Sequence, residues 1–153
     1  MNEKDSILQI LTPKAVLKAM SPEAAASIPQ VLLEQGMVRI TRFPFKVGRE
    51  SRVREFEGKM VRLERDKFDG REPSNDLYLI DVAQPLHISR EHFQIEREGS
   101  EYMLVDRNSA CGVSVGSVRV GGRDSGGRIQ IEDGDIIAIG AADTPYHFKF
   151  IVL

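Results

Sequence analysis

From Met37 onward the chain consists of short runs in which apolar and polar residues alternate. Val38 and Ile40 begin the pattern, and Phe43, Phe45 and Val47 continue it. Further runs of this kind lie at 77–80, 93–95, 102–105, 113–115, 118–120, 129–131, 136–139 and 147–152. Turns that contain Gly, Asp or Asn separate them at spacings of about ten residues, which is typical of an antiparallel β-sandwich or barrel. No helical period follows Gly36 that would supply the crossovers of a parallel sheet.

The first 35 residues have a different pattern, rich in Ala, Leu and Glu. Thr12-Pro13 and Ser21-Pro22 each place a hydroxyl N-cap before a proline, which is a helix-start signal. Pro29 is expected to split the second helix, and Gly36 to end it. We therefore predict two or three short helices in an N-terminal extension over residues 1–35, followed by a β domain over residues 36–153.

One charged segment, at about residues 50–72, interrupts the β pattern. Counted from Arg49 to Glu72, it holds eight basic and seven acidic residues. Interleaved charges of both signs favour a solvated insertion over a binding patch. The run 60–63 is apolar enough to form one strand of a hairpin within the insertion.

Length, net charge and cysteine content exclude several classes of protein. At 153 residues the chain is about one domain long, and its net charge of −2 argues against coating nucleic acid or an anionic membrane. A single cysteine, Cys111, excludes an intramolecular disulfide and a structural zinc site built from several cysteines. The sequence begins without a signal-peptide pattern and has no apolar run long enough to span a bilayer. These features predict a cytoplasmic protein that uses no metal or cofactor.

Three clusters at the ends of predicted strands carry polar side chains suited to binding an anion. They are Gly48-Arg49 after one strand, the turn 87–92 before another, and the turn 106–112 after a third. The guanidinium groups of Arg49 and Arg90 present paired donors that match a phosphate. The Ser89 hydroxyl and exposed loop N–H groups would complete a phosphate cradle.

The order of these clusters resembles that of the forkhead-associated (FHA) family from about Gly36 to Leu153. The family pattern is Gly-Arg, then Ser-x-x-His, then Ser-x-Asn-Gly-Thr. The matching segments here are Gly48-Arg49, Ser89-Arg90-Glu91-His92 and Ser109-Ala110-Cys111-Gly112-Val113. The flanking segments 75–79 and 132–137 match as well. The resemblance implies a sandwich of about eleven strands that reads phosphothreonine in a partner protein.

The resemblance also implies roles for individual residues. Arg49 would contact the phosphate or the adjacent peptide backbone, Ser89 would donate its hydroxyl to a phosphate oxygen, and Arg90 would reach the ligand. Four further residues would have structural roles: Gly48, His92, Ser109 and Gly112.

The third cluster departs from the family pattern. The family's asparagine, which hydrogen-bonds the peptide main chain, is Cys111 here, and a thiol cannot replace the two-way pairing of an amide. The following threonine is Val113, and the preceding contact position is Ala110. The phosphate half of the site is thus retained and the peptide half is reduced, which predicts weak or differently selective phosphopeptide binding.

The sequence offers two alternatives to phosphopeptide binding. Ser89, His92 and Asp106 could form a hydroxyl–imidazole–carboxylate set, but no oxyanion-hole motif accompanies them, and the glycines of 116–127 lack a P-loop ending. The second alternative is a scaffold that binds its partner without phosphate, which the Cys111 substitution motivates. We therefore expect no enzyme activity, no nucleic-acid or membrane binding, and a monomer or weak homodimer.

Overall fold

The structure, a computed structural model, describes residues 2–51, 53–56, 59–62 and 74–153. Two α-helices lie near the N-terminus, α1 (Glu3–Leu11) and α2 (Pro22–Ser27), and a 3₁₀ turn follows at Gln30–Leu32. The strands are β1 (Ala15–Ala19), β2 (Met37–Ile40), β3 (Phe45–Arg49), β4 (Val53–Phe56), β5 (Lys59–Arg62), β6 (Leu77–Leu79), β7 (Phe93–Glu98), β8 (Glu101–Asp106), β9 (Val113–Val115), β10 (Val118–Val120), β11 (Gly127–Ile131), β12 (Ile136–Ile139) and β13 (His147–Val152). None of the described helices is long and apolar enough to cross a membrane.

Eleven strands form two sheets that share one hydrophobic core. The six-stranded sheet has the order β10-β9-β12-β13-β1-β2, and the five-stranded sheet has the order β11-β8-β7-β3-β6. Residues of both sheets belong to one buried cluster, and the Tyr102 ring on β8 contacts the Phe150 ring on β13 with centroids 5.3 Å apart. Each predicted alternating run outside the charged insertion supplies buried side chains to this core. The predicted eleven-stranded β-sandwich is confirmed.

One strand pair departs from the expected antiparallel arrangement. β3 and β6 pair in parallel, with Gly48 opposite Tyr78. A parallel pair needs a long crossover, and none of the described residues between these two strands is helical. The chain between the two strands contains the hairpin β4–β5, which confirms a strand at residues 60–62. The charged insertion therefore forms the crossover of this pair. The prediction that the insertion is solvated depends largely on residues 52, 57–58 and 63–73, which lie outside the described residues.

The N-terminal segment is only partly the predicted helical extension. The prediction of a helix that starts at Thr12-Pro13 is wrong. Thr12 caps the end of α1, and Ala15–Ala19 forms a strand between β2 and β13. Ala15 and Leu17 are buried in the core of the sandwich. Helix propensity is a weak local preference, and pairing with two strands together with burial overrides it.

The remaining helix signals have mixed outcomes. Ser21 caps α2 as predicted, because its Oγ accepts from the Ala24 N–H at 3.1 Å, and Pro29 separates α2 from the 3₁₀ turn. Gly36 does not end a helix. Gln35 and Gly36 have φ of 51° and 79° and form a two-residue turn closed by reciprocal bonds between Glu34 and Met37. Positive φ at both positions is the geometry of a type I′ hairpin turn.

Candidate functional site

The sequence clusters meet at one end of the sandwich, where Arg49 and Ser89 are joined directly. The Arg49 N–H donates to the Ser89 carbonyl at 2.9 Å, and the Arg49 Nε donates to the Ile88 carbonyl at 2.9 Å. These bonds fix the guanidinium beside the turn that follows β6. Its Nη1 and Nη2 groups donate to no described residue.

The Ser89 side chain connects the second cluster to the third. Its Oγ accepts a hydrogen bond from the Ala110 N–H at 3.0 Å. A hydroxyl oxygen that accepts one bond still carries its own proton, and no described residue accepts that proton. Ser89 is half-buried, so the hydroxyl remains accessible as a donor.

His92 is buried and hydrogen-bonds to both the turn that carries Ser89 and the turn that carries Gly112. Its Nδ1 lies 3.0 Å from the Ser89 N–H, and its Nε2 lies 2.7 Å from the Gly112 carbonyl oxygen. Because a backbone N–H can only donate, Nδ1 accepts and Nε2 carries the proton. Burial lowers the pKa of His92 below its usual 6.5, although the bond to the Gly112 carbonyl opposes the shift. The neutral ring thus holds the two turns together.

Gly48 lies where the chain passes closest to the Ser89–Arg90 turn. A Cβ at this position would lie 2.0 Å from the Arg90 carbonyl oxygen, so only glycine fits. The same carbonyl accepts from Asn75 Nδ2 at 2.7 Å, and Asn75 Oδ1 accepts from Arg107 Nη1 at 2.6 Å. The Arg90 backbone is therefore fixed, while its guanidinium is exposed and contacts no described partner.

The turn after β8 is built around Ser109 and Asp106. The Ser109 hydroxyl donates to Asp106 Oδ1 and accepts from the Gly112 N–H at 3.0 Å. Asp106 Oδ2 accepts from the Ser109 N–H at 2.9 Å, and Gly112 has a φ of +76°. These local bonds hold Ser109 and Gly112 within the turn, and their role as structural residues of a binding site stays a prediction.

Ala110 and Cys111 lie at the exposed tip of this turn. The Cys111 thiol donates weakly to the Leu86 carbonyl, with Sγ 3.6 Å from the oxygen. The Cys111 carbonyl accepts from Arg119 Nη2 at 2.6 Å. Cys111 thus supplies no side-chain amide to the peptide half of the site, and Arg119, which the sequence did not single out, holds its backbone.

Asp81 is a second residue that the sequence analysis missed. It is buried, and its carboxylate accepts from the N–H groups of Ala83, His87 and Ile88 at 2.7–2.9 Å. It also accepts from the Tyr146 hydroxyl at 2.7 Å. The loop that leads to Ser89 is therefore folded around one carboxylate. Asp81 to Ala83 has the spacing of a local Asx turn, but nothing in the sequence signals the bonds six and seven residues away.

The arrangement is suited to binding rather than to nucleophilic catalysis. His92 Nδ1 accepts from the Ser89 backbone and not from its hydroxyl, while the Asp106 carboxylate is bonded to Ser109. Ser89, His92 and Asp106 therefore do not form a hydroxyl–imidazole–carboxylate relay. No group of three or more potential metal ligands occurs among the described residues.

Comparisons with known proteins give one match to a family model and several similar folds. Residues 69–140 match the family model described as FHA domain. A comparison with curated proteins found no match. Among solved structures, the chain is similar to Mycobacterium tuberculosis EmbR in complex with a low-affinity phosphopeptide (TM-score 0.54, 18% identity), covering 97% of this chain but only 28% of EmbR.

Two further similar structures are close to this chain in length. One comes from a study of phosphothreonine-dependent FHA domain interactions (TM-score 0.51, 16% identity, 91% of this chain and 96% of that chain). The other is the FHA domain of the CT664 protein from Chlamydia trachomatis (TM-score 0.53, 15% identity, 91% and 97%). The FHA domain model thus matches a segment of this chain, residues 69–140, and the fold of the chain is that of the FHA β-sandwich.

Proposed function

We propose that this protein binds a partner protein through phosphothreonine, which it captures with Arg49 and Ser89. The observation that carries the proposal is the free donor capacity of these two residues. Arg49 is held through its backbone and Nε and keeps two Nη groups for a ligand, and Ser89 accepts from Ala110 and keeps its proton. Planar guanidinium donors and a hydroxyl are complementary to a dianionic phosphate.

Arg90 supplies a second cation to the same ligand. Its backbone is fixed by Asn75, and its guanidinium extends from the turn that also carries Ser89. FHA domains are phosphothreonine-binding modules as a family, and two of the similar structures are described by their phosphopeptide or phosphothreonine-dependent interactions. This family background supports phosphothreonine as the ligand.

The proposed affinity is modest because the peptide half of the site is reduced. A hydrogen bond to a charged group contributes about 1.5–3 kcal/mol and a neutral one about 0.5–1.5 kcal/mol. Replacing the family's asparagine by Cys111 removes neutral bonds, which costs roughly tenfold in affinity. The contacts of Arg49 and Ser89 with phosphate are the stronger ones and remain.

A phosphate-independent scaffold is the second candidate. Its support is Cys111 itself, whose thiol is directed to the Leu86 carbonyl and whose own carbonyl is bonded to Arg119. In this alternative the partner would dock on the sandwich without using Arg49. A cytoplasmic location and a monomeric or weakly dimeric state stay predictions under either candidate.

Fluorescence anisotropy with degenerate peptide libraries tests the proposal. We expect the wild-type protein to bind a phosphothreonine library and to bind the unphosphorylated library at least tenfold more weakly. Arg49→Ala should abolish the difference between the two libraries. Arg39→Ala, which removes an exposed cation paired with Glu34, is the matched control and should change nothing. Binding that is equal for both libraries, or that survives Arg49→Ala, would favour the scaffold.

A further inference from the structure

Helix α1 exposes four aliphatic side chains to solvent, which we call the α1 stripe. None of its nine residues is buried, and the members of the stripe are 47–70% exposed: Ile7, Leu8, Ile10 and Leu11. Residues three and four apart lie on the same face of a helix, so Ile7, Ile10 and Leu11 are continuous, with Leu8 at their edge. Isolated helices shorter than about 12 residues are marginal in water, and most helices are stabilised by packing of an apolar face. The described part of a single chain leaves the α1 stripe without such packing.

The side of α1 that faces the sandwich is polar. Two grooves, of about 500 and 720 Å³, lie between α1 and the sandwich, and Gln9 lines both of them. Tyr102 lines the first groove and Phe45 the second, while the two remaining members of the stripe each reach the edge of one groove. Residues two apart in a helix point in nearly opposite directions, so Ile7 and Leu11, which line neither groove, face away from Gln9. The α1 stripe is therefore accessible to a second molecule.

The two ends of α1 carry opposite charge. The first turn contains two carboxylates and one ammonium group, those of Glu3, Asp5 and Lys4. Lys14 lies three residues past the end of α1, and its Nζ donates to the Thr41 carbonyl at 2.9 Å and pairs with no described carboxylate. Two copies of α1 in antiparallel orientation bring the acidic first turn of each beside Lys14 of the other. Parallel copies would place the two acidic turns side by side, so charge favours the antiparallel pair.

The size of the α1 stripe fits a weak dimer. A partly exposed aliphatic side chain contributes on the order of 100 Å² of apolar surface, so two stripes of four side chains bury on the order of 800 Å². Stable complexes bury about 1,200–2,000 Å². The stripe is also uncharged, which allows two copies of it to meet without like charges in contact. Its area and composition thus match transient pairing of two copies.

We propose that α1 is a dimerisation element, and that the α1 stripes of two copies of this chain pack against each other in antiparallel orientation about a two-fold axis. Ile7 of one copy then lies opposite Leu11 of the other. β3 begins with Phe45 in the second groove and ends with Arg49 in the candidate site, so α1 lies at the opposite end of the sandwich from that site. Dimerisation leaves both candidate sites exposed, and the inference does not depend on the proposed function.

Sedimentation equilibrium of the full chain tests the proposal. Between about 10 µM and about 1 mM we expect the weight-average mass to rise from near that of the monomer to more than about 1.5 times that mass, with a Kd on the order of 100 µM. The double variant Ile7→Ala/Leu11→Ala removes four side chains from the dimer interface and keeps a strong helix former at both positions. It should associate at least about tenfold more weakly than wild type.

The double variant Val31→Ala/Leu32→Ala is the matched control. It shortens two exposed aliphatic side chains of the 3₁₀ turn, outside α1, and should associate as wild type does. A wild-type protein that stays monomeric at about 1 mM would overturn the proposal and leave the stripe to a different protein. An α1 double variant that associates as tightly as wild type would overturn it as well.

Disulfide cross-linking tests the orientation of the two helices. Ile7→Cys and Leu11→Cys are made separately in a Cys111→Ser background and oxidised alone or as an equal mixture. Because Ile7 and Leu11 lie opposite each other only in an antiparallel pair, the mixture should give several-fold more cross-linked dimer than either variant alone. Equal or greater cross-linking of each variant alone would contradict the antiparallel arrangement and overturn the proposal.

Discussion

At the scale of single residues, His92 is a buried side chain that positions the turns of the binding site without contacting the ligand. One ring nitrogen accepts from the turn that carries Ser89, and the other donates to the turn that carries Cys111. A charged imidazolium would have two donors and would lose the bond from the Ser89 N–H. The site is therefore complete only while His92 is neutral.

Protonation of His92 should destabilise the protein as pH falls. Because the pKa of His92 is lowered in the folded state, the unfolded chain binds more protons below the usual pKa of 6.5. Stability is therefore fully present above about pH 6.5 and declines below it, by up to about 1.4 kcal/mol per pH unit. Urea unfolding between about pH 7.5 and about pH 5.5 measures this.

His92→Gln is the control for that prediction, since glutamine keeps a donor for the Gly112 carbonyl but does not titrate. The difference in unfolding free energy between wild type and variant should shrink as pH falls. A difference that stays constant across the range would mean that His92 does not cause the loss.

The site residues also show what a sequence can and cannot reveal. Gly48, Arg49, Ser89 and His92 are recognisable because motif spacing ties each to a short local turn. Asp81 and Arg119 went unnoticed because their contacts join segments that are distant in sequence, and a single Asp or Arg in a polar loop has no local signature. Long-range hydrogen bonds of this kind become visible only in the folded chain.

At the scale of elements, the loop between β6 and β7 is held by a buried pair, Asp81 and Tyr146. The Tyr146 hydroxyl donates to Asp81 Oδ1 at 2.7 Å and accepts from the Val82 N–H at 3.0 Å. Burial and the neighbouring carboxylate raise the pKa of Tyr146 to about 12, so it stays neutral and keeps its donor. Tyr146 thus ties the end of the sandwich to the loop that presents Ser89.

Tyr146→Phe should destabilise the protein by about 1–3 kcal/mol, because it leaves a buried carboxylate oxygen and an N–H with one partner fewer. It should also weaken phosphopeptide binding, since the loop before Ser89 loses its anchor. Tyr102→Phe is the matched control: the Tyr102 hydroxyl bonds to no described residue, and its loss should cost less than about 0.5 kcal/mol. Equal effects of the two substitutions in urea unfolding would contradict this role.

The strands were more predictable than the N-terminal segment for a physical reason. After Gly36 the positions of the alternating apolar residues match the positions of the buried side chains. The local sequence pattern and the tertiary structure therefore favour the same strands. Ala15–Ala19 is composed mostly of residues that favour a helix, and its pairing with β2 and β13 makes it a strand. Its three consecutive buried residues reflect contacts that local sequence does not encode.

At the scale of the whole molecule, the first twenty residues contain one dispensable and one essential element. None of the residues of α1 is buried, and Ile10 is 70% exposed. β1, in contrast, lies inside the six-stranded sheet, and Leu17 is 1% exposed. The N-terminal part of the sandwich therefore begins near Ala15 and not at Gly36.

Truncation distinguishes the two elements. Deleting residues 1–11 should change the unfolding free energy by no more than about 1 kcal/mol. Deleting residues 1–20 should remove cooperative thermal unfolding, because the sheet loses a strand that bonds on both sides. Leu17→Asp in the full chain should have a similarly severe effect, since it buries an unpaired charge. A stable, cooperatively folded 21–153 fragment would contradict the assignment of β1 to the sandwich.

Phosphate binding by the paired turns through Arg49 is tested by the affinity of wild type and Arg49→Ala for one phosphothreonine peptide chosen from the library. We expect the variant to fold normally and to bind the unphosphorylated peptide as weakly as wild type does. Its affinity for the phosphopeptide should fall at least about tenfold. Unchanged affinity in a folded variant would contradict it.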